Sequence, residues 1–261
     1  MIPLRDQEFL RQRFLRDLTS RVRIDYFTQK PSSIIIPGRQ ECASCEETAT
    51  LMEEIASLSE RISLTEHELS ASEAIARELG VDKVPGVVIR GQTNRPLRFF
   101  GLPSGGQFPV IIDSMIDAAS GKVDLLPESV RTLRKLKTDV KLQVLVTPTC
   151  AHSPAVVRLA YKLALQSVRI KLDVIEAVEF PQLTTRINLR ATPTTVIDDK
   201  MAIPGSLDEA TLVQSIMRVV EGKPLTGQTR AGNATAFTQP GAQQAQPQPQ
   251  RVGSSGLILP R

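Results

Sequence analysis

The spacing of apolar residues predicts strands and helices that alternate along the chain. Runs rich in Ile, Val and Leu within residues 34–42 and 142–150 have the composition of buried strands. Each run is followed by apolar residues three or four positions apart, the pattern of a helix with one buried face. These residues are Leu51, Ile55, Leu58 and Ile62 in the first half, and Val156, Ala160 and Leu163 in the second. Similar spacing between Phe108 and Ala119 predicts a helix that closes the first half.

Two residue pairs predict where later helices begin. Ser70 with Glu73, and Ser206 with Glu209, have the spacing of a capping box. In that motif a serine hydroxyl and a glutamate three residues later satisfy the first N–H groups of a helix. The sequence therefore predicts a short helix after Ser70 and a C-terminal helix after Ser206.

The same pattern occurs twice at a fixed spacing. Pro85 lies 43 residues after Cys42, and Pro193 lies 43 residues after Cys150, so the two copies are offset by 108 residues. At that offset "IIIPGRQEC" aligns with "LQVLVTPTC", and "VPGVVI" aligns with "TPTTVI". Because strands and helices alternate in both copies, the repeat predicts two α/β units in one chain.

Changes in composition predict the boundaries of these units. We place the first unit at residues 1–122 and the second at residues 123–226, with a junction near "SGKVDLLPES". From residue 227 the chain is rich in Gly, Gln and Pro, a composition that does not bury enough apolar surface to offset the entropy of ordering. Residues 227–261 are therefore predicted to be a disordered tail.

Composition and charge narrow the possible functions. Of the 261 residues, 41% are hydrophobic and 23% are charged, as in an average soluble domain, and no apolar run is long enough to predict a membrane span. The N-terminus lacks the apolar segment of a secretory signal, so we predict a cytoplasmic protein. The net charge is +4, and no aromatic residues interleave with the arginines of the first helix, so we predict no nucleic-acid surface.

The cysteines carry the candidate chemistry. Three cysteines in a long intracellular chain are too few for a disulfide framework, so the motif Cys42-Ala43-Ser44-Cys45 is predicted to be catalytic or metal-binding. Zinc normally takes four ligands, and the two histidines, His67 and His152, form no second paired spacing. We therefore favour a redox pair over a metal site, and we predict that His67 is a surface residue.

Position in the predicted elements assigns a role to each cysteine. At a strand-to-helix junction, unpaired N–H groups and the helix dipole favour an anion, so Cys42 is predicted to have a lowered pKa and to act as the nucleophile. Cys45, one turn later, is placed to resolve a mixed disulfide. Because X-Pro bonds adopt the cis form at low energy and the proline recurs in the repeat, we predict a cis Val84–Pro85 bond whose backbone meets a bound peptide.

Three segments give the sequence a resemblance to a known family. "FGLPSGGQF", "LVTPTCAHSPAVVRLAYKLA" and "VIEAVEFPQL" resemble the glutaredoxin-like protein disulfide oxidoreductases of hyperthermophilic archaea and bacteria, over roughly residues 5–222. The resemblance implies two tandem thioredoxin-like units, a redox pair at Cys42 and Cys45, and Pro85 as the cis proline. It also implies that Cys150 and Pro193 hold the matching places in the second unit. Some family members receive electrons from an NADPH-dependent flavoprotein reductase.

The second unit departs from the family pattern. Family members usually have Cys-x-x-Cys in both units, whereas this chain has Cys150-Ala151-His152-Ser153, followed later by Thr192-Pro193. Without a resolving thiol this degenerate site cannot complete a dithiol cycle. Either Cys150 acts as a monothiol, with its thiolate favoured by His152 and the helix start, or the unit is a scaffold that no longer catalyses. We favour the scaffold.

Local charges differ between the two sites. Glutamates at 41, 46 and 47 surround the first pair, and nearby carboxylates disfavour a thiolate. We therefore expect the pKa of Cys42 to be less depressed than that of Cys150. Many thioredoxins have a buried acid six residues before the first cysteine, but Ile36 and Val144 stand at those positions here.

The predicted function is thiol–disulfide exchange with protein disulfides or dithiols, carried out by the first unit without a bound cofactor. One alternative is an electron shuttle between a flavoprotein reductase and a peroxidase. A second is a binding module with a thioredoxin fold in which the cysteines are incidental, and a weaker third is metal or iron–sulfur binding. The sequence does not fix the direction of electron flow.

Overall fold

The two halves of the chain have the same order of helices and strands. The computed structural model describes residues 2–30, 41–223 and 235–236. The first half contains α1 (Leu4–Asp17), β1 (Val22–Thr28), α2 (Cys45–Ser57), β2 (Ile62–Glu68), α3 (Glu73–Leu79), β3 (Gly86–Arg90), β4 (Leu97–Phe100) and α4 (Gln107–Ser120). The second half contains α5 (Pro127–Leu133), β5 (Val140–Val146), α6 (Ser153–Gln166), β6 (Ile170–Glu176), α7 (Pro181–Arg186), β7 (Thr194–Ile197), β8 (Met201–Pro204) and α8 (Glu209–Val220), and a short strand follows as β9 (Thr235–Ala236).

The strands of both halves form one continuous sheet. Its order is β2-β1-β3-β4-β6-β5-β7-β8-β9. In each half a central strand has one parallel and one antiparallel neighbour: β1 lies between β2 and β3, and β5 lies between β6 and β7. The halves join where β4 pairs in parallel with β6, with Arg98 opposite Asp173. The predicted α/β class is confirmed, and the pairing adds that the two units share a sheet.

Alternation along the strands places apolar side chains on both faces of the sheet. On β1, Ile24 and Tyr26 belong to the larger core, which contains side chains from α1, α2, α4, α6 and α8. Phe27 belongs to a smaller cluster on the opposite face, together with Ala76 and Leu79 of α3. Because the larger core takes residues from both halves, the two units bury apolar surface against each other as well as internally.

The helix after Cys42 is shorter than the apolar spacing predicts. Helix α2 ends at Ser57, and Ile62, predicted to be helical, begins strand β2. Leu51 is only partly buried, whereas Thr48, Met52 and Ile55 are buried. An apolar residue just beyond a helix can continue its spacing by chance, since the next strand also buries apolar residues. The stripe predicted in the second half, at Val156, Ala160 and Leu163, is confirmed on α6.

Neither predicted capping box forms. The residue before α3 is Ser72, and its side chain makes no capping hydrogen bond. The residue before α8 is Asp208, whose carboxylate accepts a hydrogen bond from the Thr211 N–H at 2.8 Å. A carboxylate at this position satisfies an unpaired N–H group and lies at the positive end of the helix dipole, so Asp208 takes the role predicted for Ser206.

His67 is buried, so its predicted surface position is wrong. It lies on β2 with its ring stacked on Phe27, and its Nε2 atom is 3.1 Å from Asp25 Oδ1. Arg90 donates two further hydrogen bonds to Asp25, the shorter at 2.6 Å. The histidine therefore belongs to a buried polar cluster, which hydrogen bonding makes tolerable inside the fold.

Two predicted features lie outside the described residues. Most of the strand predicted within 34–42 falls on residues 31–40, and almost all of the tail predicted at 227–261 falls on residues that the structure does not describe. The strand that corresponds to β5 by its pairing is β1, because Val22 opposite Ile62 matches Val140 opposite Ile170. Residues 29–41 therefore separate strand from cysteine in the first unit, against residues 147–149 in the second.

In the described part of the chain, no helix combines the length and apolarity that crossing a membrane requires.

Candidate redox site

A disulfide joins Cys42 and Cys45 at the start of α2. The helix begins at Cys45, and Cys42 lies three residues earlier, with 5.5 Å between the two Cα atoms. Cys45 is buried, whereas Cys42 is only partly buried. In a Cys-x-x-Cys pair the more accessible sulfur is the one that a substrate can reach. This difference in exposure agrees with the predicted roles of Cys42 as nucleophile and Cys45 as resolving cysteine.

A tyrosine on β1 lies beneath the disulfide. The Tyr26 hydroxyl donates a hydrogen bond of 2.5 Å to the Cys45 carbonyl oxygen. Burial raises the pKa of Tyr26 to about 12, so this phenol stays protonated and remains a donor. By strand pairing, Tyr26 corresponds to Val144 of the second unit. Strand pairing therefore puts Tyr26 at the place where many thioredoxins have a buried acid, although it lies sixteen residues before Cys42 and not six.

The predicted cis proline lies beside the redox pair. The Val84–Pro85 bond is cis, as predicted. Val84 and Pro85 line a cavity of about 520 Å³ together with Cys42 and Ala43. Contact of the Val84 backbone with a bound peptide remains a prediction.

The second unit forms one wall of this cavity. Residues 178–182, which follow β6 and extend into the start of α7, line it together with Cys42. Glu179 of this segment accepts a hydrogen bond from the Ser44 hydroxyl, inside the Cys-x-x-Cys motif, and another of 2.6 Å from the Leu102 N–H. The sequence prediction missed Glu179. Its only signal was its place in "VIEAVEFPQL", a segment singled out for resemblance and not for chemistry.

A buried carboxylate supports the segment that carries Glu179. Glu176 accepts hydrogen bonds from the N–H groups of Val178, at 3.2 Å, and Glu179, at 2.9 Å. Burial raises the pKa of Glu176, although these two bonds oppose the shift. Gly101 of the first unit, with φ of +104°, packs against the same place, since a Cβ atom there would lie 2.6 Å from Glu176 Cβ. Residues of both units therefore fix the position of this wall of the cavity.

The residues predicted for the degenerate second site are also brought together. The Cys150 thiol donates a hydrogen bond of 3.1 Å to the Thr192 carbonyl oxygen, and the Thr192–Pro193 bond is cis. Ser153 begins α6 and is fully buried, and within the described residues its hydroxyl has no oxygen or nitrogen partner. His152 is exposed. The second unit thus keeps the geometry of the first, with a serine hydroxyl at the place of the resolving thiol.

Hydrogen bonds favour the thiolate of Cys150. Burial is the largest single influence and raises the pKa of Cys150. The Ser153 hydroxyl and the N–H groups of His152 and Ser153 lower it, and together they outweigh burial, so the pKa is below that of an ordinary thiol. The predicted help from His152 therefore comes through its backbone N–H.

We expect Cys150 to react with iodoacetamide at lower pH than an unperturbed thiol. In the oxidised protein Cys42 and Cys45 are joined, so alkylation reports on Cys150. A lowered pKa puts more thiolate in solution at pH 7. Ser153→Ala should move the midpoint of the rate–pH profile upward, because the thiolate loses a hydrogen bond. After reduction, Cys42 should show a higher midpoint than Cys150. Equal midpoints for Cys150 in the wild type and Ser153→Ala would contradict this assignment.

No group of three or more His, Cys, Asp or Glu side chains is placed to hold a metal ion in the part of the chain that the structure describes. Cys42 and Cys45 are joined to each other. His67 is hydrogen-bonded to Asp25.

Comparisons with known proteins agree with this geometry. Residues 140–218 match a family model described as a thioredoxin domain. The N-terminal domain of alkylhydroperoxide reductase AhpF from Enterococcus faecalis has 21% identity and a TM-score of 0.72, over 83% of this chain and 100% of that one. A protein disulfide oxidoreductase from Aeropyrum pernix has 19% identity and a TM-score of 0.75, over 86% of this chain and 96% of that one. No protein with a curated description matches the sequence. At these identities the likeness shows the fold, in which thioredoxin-like units are arranged in tandem.

Proposed function

We propose that this chain, a tandem of thioredoxin folds, is a thiol–disulfide oxidoreductase that exchanges disulfides with protein substrates through its first unit. The observation that carries the proposal is the disulfide itself. It joins a partly exposed Cys42 to a buried Cys45, at a helix start and in a cavity shared with the cis Pro85. Paired thiols in this arrangement accept and release two electrons without a bound cofactor.

In the reducing direction, the Cys42 thiolate attacks one sulfur of a substrate disulfide and expels the other as a thiolate. The product is a mixed disulfide between Cys42 and the substrate. The Cys45 thiolate then attacks Cys42 Sγ, which forms the Cys42–Cys45 disulfide and releases the second substrate thiolate. The substrate gains two electrons and the protein loses two. The oxidising direction is the reverse of these steps.

The N-terminal domain of alkylhydroperoxide reductase AhpF has a similar fold, and this favours a second candidate function. In it the chain carries electrons from a flavoprotein reductase to a peroxidase, and Cys42 attacks a disulfide of that peroxidase. The chemistry at Cys42 and Cys45 is the same in both candidates. They differ in substrate range, so rapid turnover with a peroxidase and slow turnover with general protein disulfides would favour the shuttle.

A redox titration tests the proposed exchange. The protein is equilibrated in glutathione or dithiothreitol buffers of known potential, and its free thiols are counted by mass tagging. We expect two thiols to appear together, at a potential between about −270 and −180 mV, the range from thioredoxin to protein disulfide isomerase. In Cys45→Ser this two-thiol transition should vanish.

Cysteines that stay reduced at every potential, or that copurify with metal, would contradict the enzyme. The binding module would then be the better account, and Cys42→Ser/Cys45→Ser should keep the biological role of the chain.

A further inference from the structure

We propose that the cavity at Cys42 selects protein substrates in which a lysine or arginine lies next to the reacting cysteine, and that Glu179 of the second unit is a specificity-determining residue. The inference rests on the proposed function, since it concerns the substrates of the same redox pair. It gives the second unit a role that does not depend on Cys150.

The described residues that line the cavity carry an excess of negative charge. Among them the charged side chains are three acids, Glu41, Asp82 and Glu179, and one base, Lys83. The ammonium group of Lys83 contacts the Asp82 carboxylate and lies 4.0 Å from the centre of the Phe100 ring. Lys83 is thus engaged within the protein, although the chain as a whole has a net charge of +4. A cationic side chain of a substrate would meet unbalanced carboxylates beside the sulfur that it must approach.

Glu179 differs from the other two acids because its position is fixed. One carboxylate oxygen accepts the Leu102 N–H and the other accepts the Ser44 hydroxyl. The Glu179 N–H is bonded in turn to the buried Glu176. Glu41 and Asp82 are exposed, whereas Glu179 is partly buried. A carboxylate that is already ordered loses little side-chain entropy when it pairs with a substrate cation.

The bonds that hold Glu179 leave it able to bind a cation. A carboxylate has about four lone-pair sites, and Leu102 and Ser44 account for two of them. Ser44 directly precedes Cys45, so its hydrogen bond places the Glu179 carboxylate against the redox motif. A lysine or arginine near the substrate cysteine can therefore pair with Glu179 while the substrate sulfur faces Cys42.

The volume of the cavity suits a few side chains of a bound peptide. About 520 Å³ is within the range of sites that enclose a small ligand. Val178 and Phe180 supply apolar surface on the second-unit wall, and Val84 and Pro85 supply it on the opposite side. The geometry therefore points to a cysteine-containing segment with one basic neighbour, and not to a small anionic thiol.

Matched peptides test the inference. Three peptides carry one cysteine each as a mixed disulfide with 2-thiopyridine and differ only in the neighbouring residue, which is Lys, Ser or Glu. Attack of the Cys42 thiolate on the peptide sulfur releases 2-thiopyridone, which is followed by absorbance. The reduced full-length chain carries Cys150→Ser throughout, so that one site is measured.

At low salt we expect the Lys peptide to react about tenfold faster than the Glu peptide, with the Ser peptide between them. The ratio should decline as salt is added, since screening weakens these attractions. In Glu179→Gln the amide oxygen can still accept the Leu102 N–H, and the NH2 group can donate to the Ser44 hydroxyl oxygen, so the substitution removes the charge and keeps a partner for each group. It should lower the Lys-to-Glu ratio by about threefold. Glu41→Gln, at an exposed acid of the same cavity, should lower it less. Glu128→Gln, at an exposed acid on α5, should leave it unchanged.

Equal rates for the three peptides would overturn the inference, and so would a ratio that is independent of salt. A ratio as high in folded Glu179→Gln as in the parent would overturn the assignment to Glu179. Failure of the proposed function looks different, because Cys45 would then not displace the peptide from Cys42, and mass spectrometry would find the peptide still bound to the protein after 2-thiopyridone is released. The salt series on the parent protein keeps the charge preference testable if Glu179→Gln does not fold.

Discussion

Replacing Cys45 with serine should lower multiple-turnover disulfide reduction by about a thousandfold or more while leaving the first attack by Cys42 intact. Cys45 is buried and bonded to Cys42, so its role is to release a substrate that Cys42 has already captured. Without Cys45, the mixed disulfide persists until an external thiol reduces it. Serine is close to cysteine in volume, and the Cys45 carbonyl that Tyr26 binds is unchanged. The fold should therefore persist.

Mass spectrometry of the reacted protein is the direct measurement. Cys45→Ser should accumulate one substrate molecule on Cys42, and dithiothreitol should remove it. Cys150→Ser is the matched control, since it also removes a sulfur at a helix start but leaves the Cys42–Cys45 pair whole, and its turnover should equal that of the wild type. Full turnover in Cys45→Ser, or its loss in Cys150→Ser, would place the chemistry in the second unit.

Replacing Asp173 with alanine should lower the free energy of unfolding by about 3–5 kcal/mol. Asp173 Oδ1 lies 2.6 Å from Arg98 Nε where β6 pairs with β4, and the Arg98 side chain is only 8% exposed. Without the carboxylate, the guanidinium keeps the Leu79 carbonyl, at 3.2 Å, as its only hydrogen-bond partner among the described residues. An uncompensated buried charge is expensive, since it loses water without gaining a partner.

Urea unfolding curves measure this loss. Asp139→Ala is the control, because Asp139 pairs with Arg169 and Lys171 where all three side chains are about half exposed, and its effect should be much smaller than that of Asp173→Ala. Arg98→Met/Asp173→Leu should recover most of the lost stability, since it removes both charges together. A loss in Asp173→Ala no larger than that in Asp139→Ala would show that the pair at the joint between the units is not important for stability.

The sequence by itself determined the repeated architecture and the redox pair. The equal spacing from Cys42 to Pro85 and from Cys150 to Pro193 reflects two copies of one order of strands and helices, and both prolines follow cis bonds. The spacing of apolar residues along a strand or helix can be seen within one segment, because a segment that buries one face needs this spacing wherever it lies in the fold. The Cys-x-x-Cys motif is local for the same reason, since one helical turn brings both sulfurs together.

Local pattern was misleading where the two copies differ in length. Counting six residues back from the first cysteine pairs Ile36 with Val144, whereas strand pairing makes Tyr26 the counterpart of Val144. Spacing along the chain carries no information on which residues are inserted, because an insertion in a connection leaves both flanking elements intact. Only the register of β1 against β2 identifies Tyr26.

Only the tertiary structure decided what surrounds the redox pair. Glu179 is far from Ser44 in sequence, and the two meet because β4 pairs with β6, which joins the strands of the two units in one sheet. Every strand offers backbone hydrogen-bonding groups and a face that can pack. Which two strands pair is therefore a property of the whole fold. The sequence thus determined which cysteines react, and the joint between the units determined the charge of the cavity in which Cys42 lies.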